Sequence, residues 1–166
     1  GKGEYAELTG AASDANAVSR SDVFHEVLDP YTAMTMAAQE SVSGGQQEAF
    51  EKTKIILQNH PNIKGIICGK DAMAIGTVTA IQAAGLEGKV IVAGYGGSDA
   101  ARDQVITGNM ICTCLEPLAE CAKMAVQQAD TYISTGVMES EEKQMIDCTL
   151  ITPENAGKLS GMIVAE

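Results

Sequence analysis

Residues 63–99, IKGIICGKDAMAIGTVTAIQAAGLEGKVIVAGYGGSD, constrain this chain more than any other stretch. A short apolar run at 65–68 ends in Gly69-Lys70-Asp71, and an Ala- and Ile-rich segment of helical period covers 72–84. Gly85 stops it, and a second apolar run at 90–93 ends in Gly94-Tyr95-Gly96-Gly97. Two buried-type strands joined by a helix-length crossover form a parallel β-α-β unit, because only antiparallel neighbours can be joined by a tight turn. Both polar knots then fall at the carboxyl ends of strands, where open α/β sheets place their ligands.

The same alternation continues on either side. Residues 4–8 form a first strand ending at Thr9-Gly10, and 11–16 form a small polar loop. Asp14 or Ser13 caps a helix with apolar positions Ala17, Val23 or Phe24, Val27 and Leu28, stopped by Asp29-Pro30. Residues 32–38 form a second strand with Met34, Met36 and Ala38 on one core-facing side. A flexible loop at 41–45 leads to a helix over 46–58 that presents Phe50, Ile55 (or the stem of Lys54), Ile56 and Leu57; His60-Pro61-Asn62 ends it. Strand three is 63–68, helix three 72–84 and strand four 89–93. Ser98 or Asp99 caps a short fourth helix that stops at Thr107-Gly108-Asn109, and strand five is 110–115.

Pro117 opens a helix running to Thr135, with an apolar stripe of Leu118, Cys121 or Ala122, Ala125, Ala129, Tyr132 and Ile133. An acidic loop at 138–143, a late strand at 144–151, a last helical turn at 153–158 and a loose tail at 160–166 complete the chain. Five strand–helix repeats and a sixth strand predict an α/β, doubly wound parallel sheet in three αβα layers, with flavodoxin-like strand order 2-1-3-4-5 and a single lobe over 1–159.

Composition narrows the function. A chain of 166 residues suffices for one domain with its own core. A net charge of −11 leaves no basic face for nucleic acid and suits small molecules or other proteins. No apolar run approaches the roughly 20 residues that cross a bilayer, so no membrane insertion is expected. The five cysteines lack zinc-site spacing and read as small buried hydrophobes in a chain with little disulfide chemistry. Cys112 and Cys114, two apart on one strand, point in parallel and make a poor disulfide. A first residue of Gly without a signal-peptide pattern implies processing or trimming.

Several local patterns have a bland reading that outweighs a chemical one. Gly94-Tyr95-Gly96-Gly97-Ser98-Asp99, with Glu116 twenty residues beyond Gly96, superficially meets the dinucleotide fingerprint. Asp99 in the third glycine position would repel a pyrophosphate, so the run is read as a tight turn and helix cap. Asp71 is read as the N-cap of helix three with Lys70 solvated, and Arg20 as pairing with Asp14 or Asp22, or as a remnant anion contact. His25 and His60 are read as surface residues, Glu139–Glu142 as a solvated loop, and Met34 and Met36 as core. No cofactor is implied.

Laid out in order, the residues resemble a known family. Ile63-Lys64-Gly65-Ile66-Ile67, Asp71-Ala72-Met73-Ala74-Ile75-Gly76, Ala80-Ile81-Gln82-Ala83-Ala84-Gly85 and Val90-Ile91-Val92-Ala93-Gly94-Tyr95 are similar to the type I periplasmic sugar-binding proteins, the ribose-binding group. Glu7-Leu8-Thr9-Gly10, Arg20 followed by Phe24, Ala49-Phe50 ahead of the His60-Pro61 turn, and Pro117 add to the match. Effector domains of lactose-repressor-type regulators share that fold, but no helix-turn-helix segment is found here. The resemblance implies two α/β lobes closing on a sugar, with this chain as the second, C-terminal lobe and the first lobe missing. It implies a non-enzymatic protein of the periplasm, a sugar or polyol as ligand, and the permease of an ABC importer as partner. The helix Leu118–Thr135 resembles one that packs on the absent lobe. Here it is expected to fold onto the chain's own sheet, with a second copy or a separately supplied first lobe as the alternatives.

The resemblance also implies a site: Asp14, Asn16, Arg20, Lys70, Asp71 and Tyr95, at the ends of strands one, three and four. The polar groups would hydrogen-bond hydroxyls and Tyr95 would stack on the ring. Several family ligand positions are replaced: Val18 stands for an Arg, Lys70 for an Asn, Gly96 for an Asp, Leu115 for a Gln, and Ser43-Gly44 for a polar–aromatic pair. A lost hydrogen-bonding partner is costly for hydroxyl recognition, and half a clamshell buries little of a small ligand. Sugar binding is therefore expected to be weakened or lost. The alternative reading is a stand-alone flavodoxin-like scaffold, decayed or engineered, that mainly self-associates.

Overall fold

A computed structural model describes residues 1–43, 45–138, 144 and 146–159. β1 (Gly3–Thr9) is buried on both faces from Tyr5 to Leu8, as befits an interior strand. It pairs in parallel with β2 (Met34–Ser41) on one side and β3 (Ile63–Cys68) on the other, and β3 pairs in parallel with β4 (Ile91–Ala93). The sheet continues to β5 (Thr113–Leu115) through parallel bridges between Ala93 and Cys112 and between Gly96 and Leu115. The expected order 2-1-3-4-5 is thus met. The late strand differs from expectation: β6 spans only Thr149–Ile151 and runs antiparallel to β5.

Four helices connect these strands in parallel crossovers: α1 (Ala15–Leu28), α2 (Gln46–Asn59), α3 (Asp71–Ala83) and α4 (Asp99–Ile106). The first crossover leads toward β2 and the next three lead the opposite way, so right-handed connection puts α1 on one face and α2, α3 and α4 on the other. The larger core lies under the three helices, where Leu8, Ile66, Met73, Val92, Val105 and Met110 are almost fully buried. α2 and α3 meet backbone to backbone at Gly76, where a Cβ would stand 2.2 Å from the Gln46 carbonyl oxygen. Beside that contact the hydroxyls of Thr53 and Thr77 bond at 3.1 Å. A short 3₁₀ turn, Ala156–Lys158, closes the same face against α4.

The other face is thinly covered. Of α1 only Ala17 is buried, with Phe24 and Leu28 half-buried, while Val18, Val23 and Val27 face out. The sheet-facing side is therefore the Ala17, Phe24, Leu28 row, not the row through Val23 and Val27. His25 is not a plain surface residue: its Nε2 lies 3.1 Å from the carboxylate of buried Glu7, which also accepts from Gln39 at 2.8 Å. Similarly, α2 buries Ala49, Thr53, Ile56 and Leu57 and leaves Ile55 exposed. β2 is an edge strand, so Met36 is exposed where a core position was expected. Among the described residues an apolar hollow of about 290 Å³ lies at the amino end of the sheet, lined by Tyr5, Met34, Gly65, Ile67, Ile91 and Ile111 among others and by no residue of α1.

The fifth helix, α5 (Leu118–Thr135), does not fill it. No residue of α5 is buried, and Leu118, Val126, Tyr132 and Ile133 are all exposed. The expectation of self-packing is overturned. β5 lies between β4 and β6, and α5 departs from its end, so among the described residues the stripe buries no side chain against the rest of the chain. The tail at 160–166 and most of the acidic loop, 139–143, lie outside the described residues.

Candidate functional site

The site grows from two helix starts and one turn at the carboxyl ends of β1, β3 and β4. Asp14 caps α1, accepting from the N–H groups of Asn16 at 3.0 Å and Ala17 at 3.3 Å. Its other oxygen takes the Lys70 ammonium at 3.2 Å, joining the ends of β1 and β3. The Lys70 hydrogen bond, with the α1 amides behind it, holds the Asp14 carboxyl below the usual carboxylate range. Asn16 is exposed on the first turn of α1.

One turn further along α1 stands Arg20, with its side chain only 12 % exposed. Its Nη1 donates to the Gly69 carbonyl at 2.8 Å, and its Nη2 lies 3.7 Å from Glu116. The guanidinium carbon sits 3.9 Å from the centroid of the Tyr95 ring, a cation–π contact. Arg20 thus pairs with Glu116, not with Asp14 or Asp22. Glu116, which the sequence suggests only as part of a superficial dinucleotide fingerprint, joins the candidate site through this contact. The expected ligand position, Leu115, is buried instead, packed so close to Gly97 that a Cβ there would lie 2.5 Å from the Leu115 Cα. Strand alternation then turns Glu116 toward the rim. Burial, followed by the neighbouring Cys148 thiol, pushes the Tyr95 phenol up to about 12.

Asp71 sits below the rim rather than on it. It is the first residue of α3, while Lys70 occupies the cap position without a side-chain cap bond, so the reading of Asp71 as N-cap is corrected. Its buried carboxylate accepts the Thr113 hydroxyl at 2.6 Å and the Ser98 N–H at 2.7 Å. Gly96 leaves the space that this carboxylate fills, since a Cβ there would approach Asp71 Oδ2 to 3.1 Å. Ser98 caps α4 through the Ala101 N–H, as a turn-and-cap reading of the glycine cluster requires.

The six expected residues therefore collect at one end of the sheet. Asp14 and Lys70 form one couple, Arg20 and Tyr95 another, the Gly69 carbonyl links the two, and Asp71 supports them from beneath. Two rim cations face two rim carboxylates, with a third carboxylate behind. Such a rim offers hydrogen-bond donors and acceptors without excess positive charge, which fits a neutral polyol better than a phosphorylated ligand. Among the described residues no cluster of three or more His, Cys, Asp or Glu side chains is arranged to hold a metal ion. No described helix is long and apolar enough to cross a membrane.

Comparison with known proteins agrees with the architecture. Residues 1–136 match the model of a family described as periplasmic binding protein domain. The chain is 49 % identical over 160 residues to the D-apiose import binding protein of Actinobacillus succinogenes, covering 96 % of this chain and 51 % of that protein. It is 44 % identical to the protein of the same name from Paraburkholderia graminis, covering 95 % of this chain and 50 % of that protein. A solved ABC transporter periplasmic solute binding protein from Actinobacillus succinogenes with bound D-allose superimposes with a TM-score of 0.89 at 30 % identity, covering 95 % of this chain and 55 % of that one. The chain thus spans about half the length of the curated relatives it matches.

Proposed function

The chain belongs to the periplasmic binding protein domain family, and from that premise we propose that it is the carbohydrate-binding C-terminal lobe of an ABC importer's solute-binding protein, acting in the periplasm. The observation that carries this reading is the charge-balanced rim built on Arg20, stacked on Tyr95 and tied to Gly69 and Glu116. A guanidinium has five N–H donors, so these contacts leave others for sugar hydroxyls. Lys70, Asp14 and Asn16 supply further donors and acceptors. D-apiose, named in the two relatives, is the ligand favoured by similarity.

One lobe offers one wall. The rim groups are already paired with one another, and a ligand here keeps much of its surface in water, so affinity in isolation is weak, on the order of millimolar. The exposed stripe of α5 supports the view that a second body, a first lobe like the half of the relatives that this chain does not match, covers that helix and supplies the opposing wall. A permease partner follows from the same family reading.

The test combines this chain with the half of the Actinobacillus succinogenes relative that it does not match, and follows melting while D-apiose, D-allose, D-ribose and a sugar phosphate are titrated. Assembly through α5 and a rise in melting temperature with a neutral sugar, lost in Arg20→Ala, are the expected results. Failure of every neutral sugar to shift the assembled pair, or a response to the sugar phosphate alone, would overturn the reading. Concentration-dependent light scattering of the chain by itself separates docking of α5 on a different lobe from pairing with a second copy.

A further inference from the structure

β5 and β6 bring together two thiols for which sugar recognition has no use. In their antiparallel register Cys114 lies opposite Leu150 and Leu115 opposite Thr149. Cys148, one residue beyond the paired stretch, therefore sits diagonally from Cys114 on the same face of the ribbon. Tyr95 stands over that face, with its hydroxyl 3.9 Å from Cys148 Sγ. Cys148 is exposed and Cys114 half-buried. Burial, and then the adjacent Cys148, push the Cys114 thiol up to about 11. The other cysteines are poor competitors: Cys68 is sealed in the core beside Thr77, Cys121 lies out on α5, and Cys112, just ahead of β5, falls beyond Ile151 in the register and so well along the ribbon from Cys148.

We propose that Cys114 and Cys148 are an oxidisable pair, a modification site whose disulfide staples β5 to β6 at the rim of the candidate site. Diagonal neighbours across a ladder have Cα atoms about 7–8 Å apart, whereas a disulfide needs about 4.4–6.8 Å. Closing the bond therefore draws Cys148 out of the line of the ladder and toward Cys114 by about an ångström. The oxidant is a small organic disulfide. The accessible Cys148 gives up its proton and attacks one sulfur of that disulfide, forming a mixed disulfide and releasing one thiolate, which takes up a proton. Deprotonated Cys114 then attacks Cys148 Sγ, forming the internal bond and expelling the second thiolate, which is protonated in turn. The protein loses two electrons and two protons, and the small disulfide is reduced to two thiols. The closed loop of about 35 residues contains the whole of α5, so the link removes much freedom from the unfolded chain.

The experiment incubates the protein with glutathione disulfide and reads intact mass, non-reducing peptide maps and thermal melting. The expected result is a loss of two hydrogens, a peptide joining Cys114 to Cys148, and a melting temperature raised by about 10 °C. Dithiothreitol reverses all three. Cys112→Ser and Cys121→Ser keep the response, and Cys148→Ser, a change at an exposed position that spares the fold, abolishes it. Five alkylatable thiols after oxidation, a bond mapped to another pair, or a Cys114–Cys148 bond without a rise in melting temperature would each overturn the proposal.

Discussion

The Thr113 hydroxyl donates to the Asp71 carboxylate at 2.6 Å, and this bond fastens the least well paired seam of the sheet. β4 and the turn after it meet β5 through two parallel bridges and three backbone bonds, Ile111 N–H to Val92, Gly94 N–H to Cys112 and Gly96 N–H to Cys114, rather than through a continuous ladder. Thr113 also accepts from the Gly97 N–H at 3.3 Å, and the second Asp71 oxygen accepts from Ser98 at 2.7 Å. One buried carboxylate thereby ties the start of α3, the turn after β4 and the strand β5 into a single unit.

Removing the hydroxyl should expose that dependence. Thr113→Val keeps the shape of the side chain but leaves a buried carboxylate oxygen without its donor, a loss of about 2 kcal/mol. Urea unfolding is the measurement. Adding Thr113→Val to an Asp71→Ala background should cost clearly less than adding it to the native chain. Additive losses would mean that the two side chains act independently.

Gly76 offers a sharper case, because local propensity and packing make opposite predictions. Ala in mid-helix is favoured over Gly by about 1 kcal/mol. Gly76→Ala should nevertheless destabilise strongly, by about 3 kcal/mol or more, since its Cβ would overlap the Gln46 backbone at 2.2 Å. Gly85→Ala, where open space surrounds a φ of +65°, should cost only about 1 kcal/mol. Equal midpoints for the two variants would contradict the α2–α3 contact.

Asp14 predicts a pH dependence of definite sign. Its carboxyl is lowered in the folded state by Lys70 and the α1 amides, so its contribution is present above the unfolded carboxylate value and is lost as pH falls through the lower folded value. Asp14→Asn preserves a capping oxygen and removes the charge. It should therefore be less stable than the native chain near neutrality and should converge with it in strong acid. A stability gap that widened on acidification would reverse the assignment.

The bare stripe of α5 should be thermodynamically silent in this domain. Val126→Ser and Ile133→Ser, 70 % and 82 % exposed in the native chain, should each shift stability by less than about 0.5 kcal/mol. Val92→Ala, in the core, should cost about 2 kcal/mol. The same α5 variants should weaken docking of the complementary half, read by sedimentation of the mixture.

The scaffold was legible because apolar runs and turn residues agree at each step. The βαβ unit, the Asp14 and Ser98 caps and the order through β5 all follow from short-range signals. What escaped were facts of tertiary placement. The row of α1 that meets the sheet is set by Arg20 and His25 finding Glu116 and Glu7, partners remote in the chain that periodicity cannot name. Asp71 looks like a cap in the string Gly69-Lys70-Asp71, yet a backbone rotated by one position delivers its carboxylate to Thr113, 42 residues away. Glu116 is not legible as a rim residue, because one residue of register decides whether it or Leu115 faces the rim. The stripe on α5 is plainly apolar in the sequence, but a pattern of hydrophobicity says nothing about which body will cover it.

The antiparallel return of β6 along β5 has a mechanical consequence. The chain leaves for α5 and comes back from it along the same edge, side by side, so whatever travels with α5 hangs from a two-ply strap rather than a single thread. Such a strap bends readily across its thin dimension and resists torsion about its length. A body held this way has its two points of attachment side by side, an arrangement that favours swinging toward or away from the strand ends over turning about the strap.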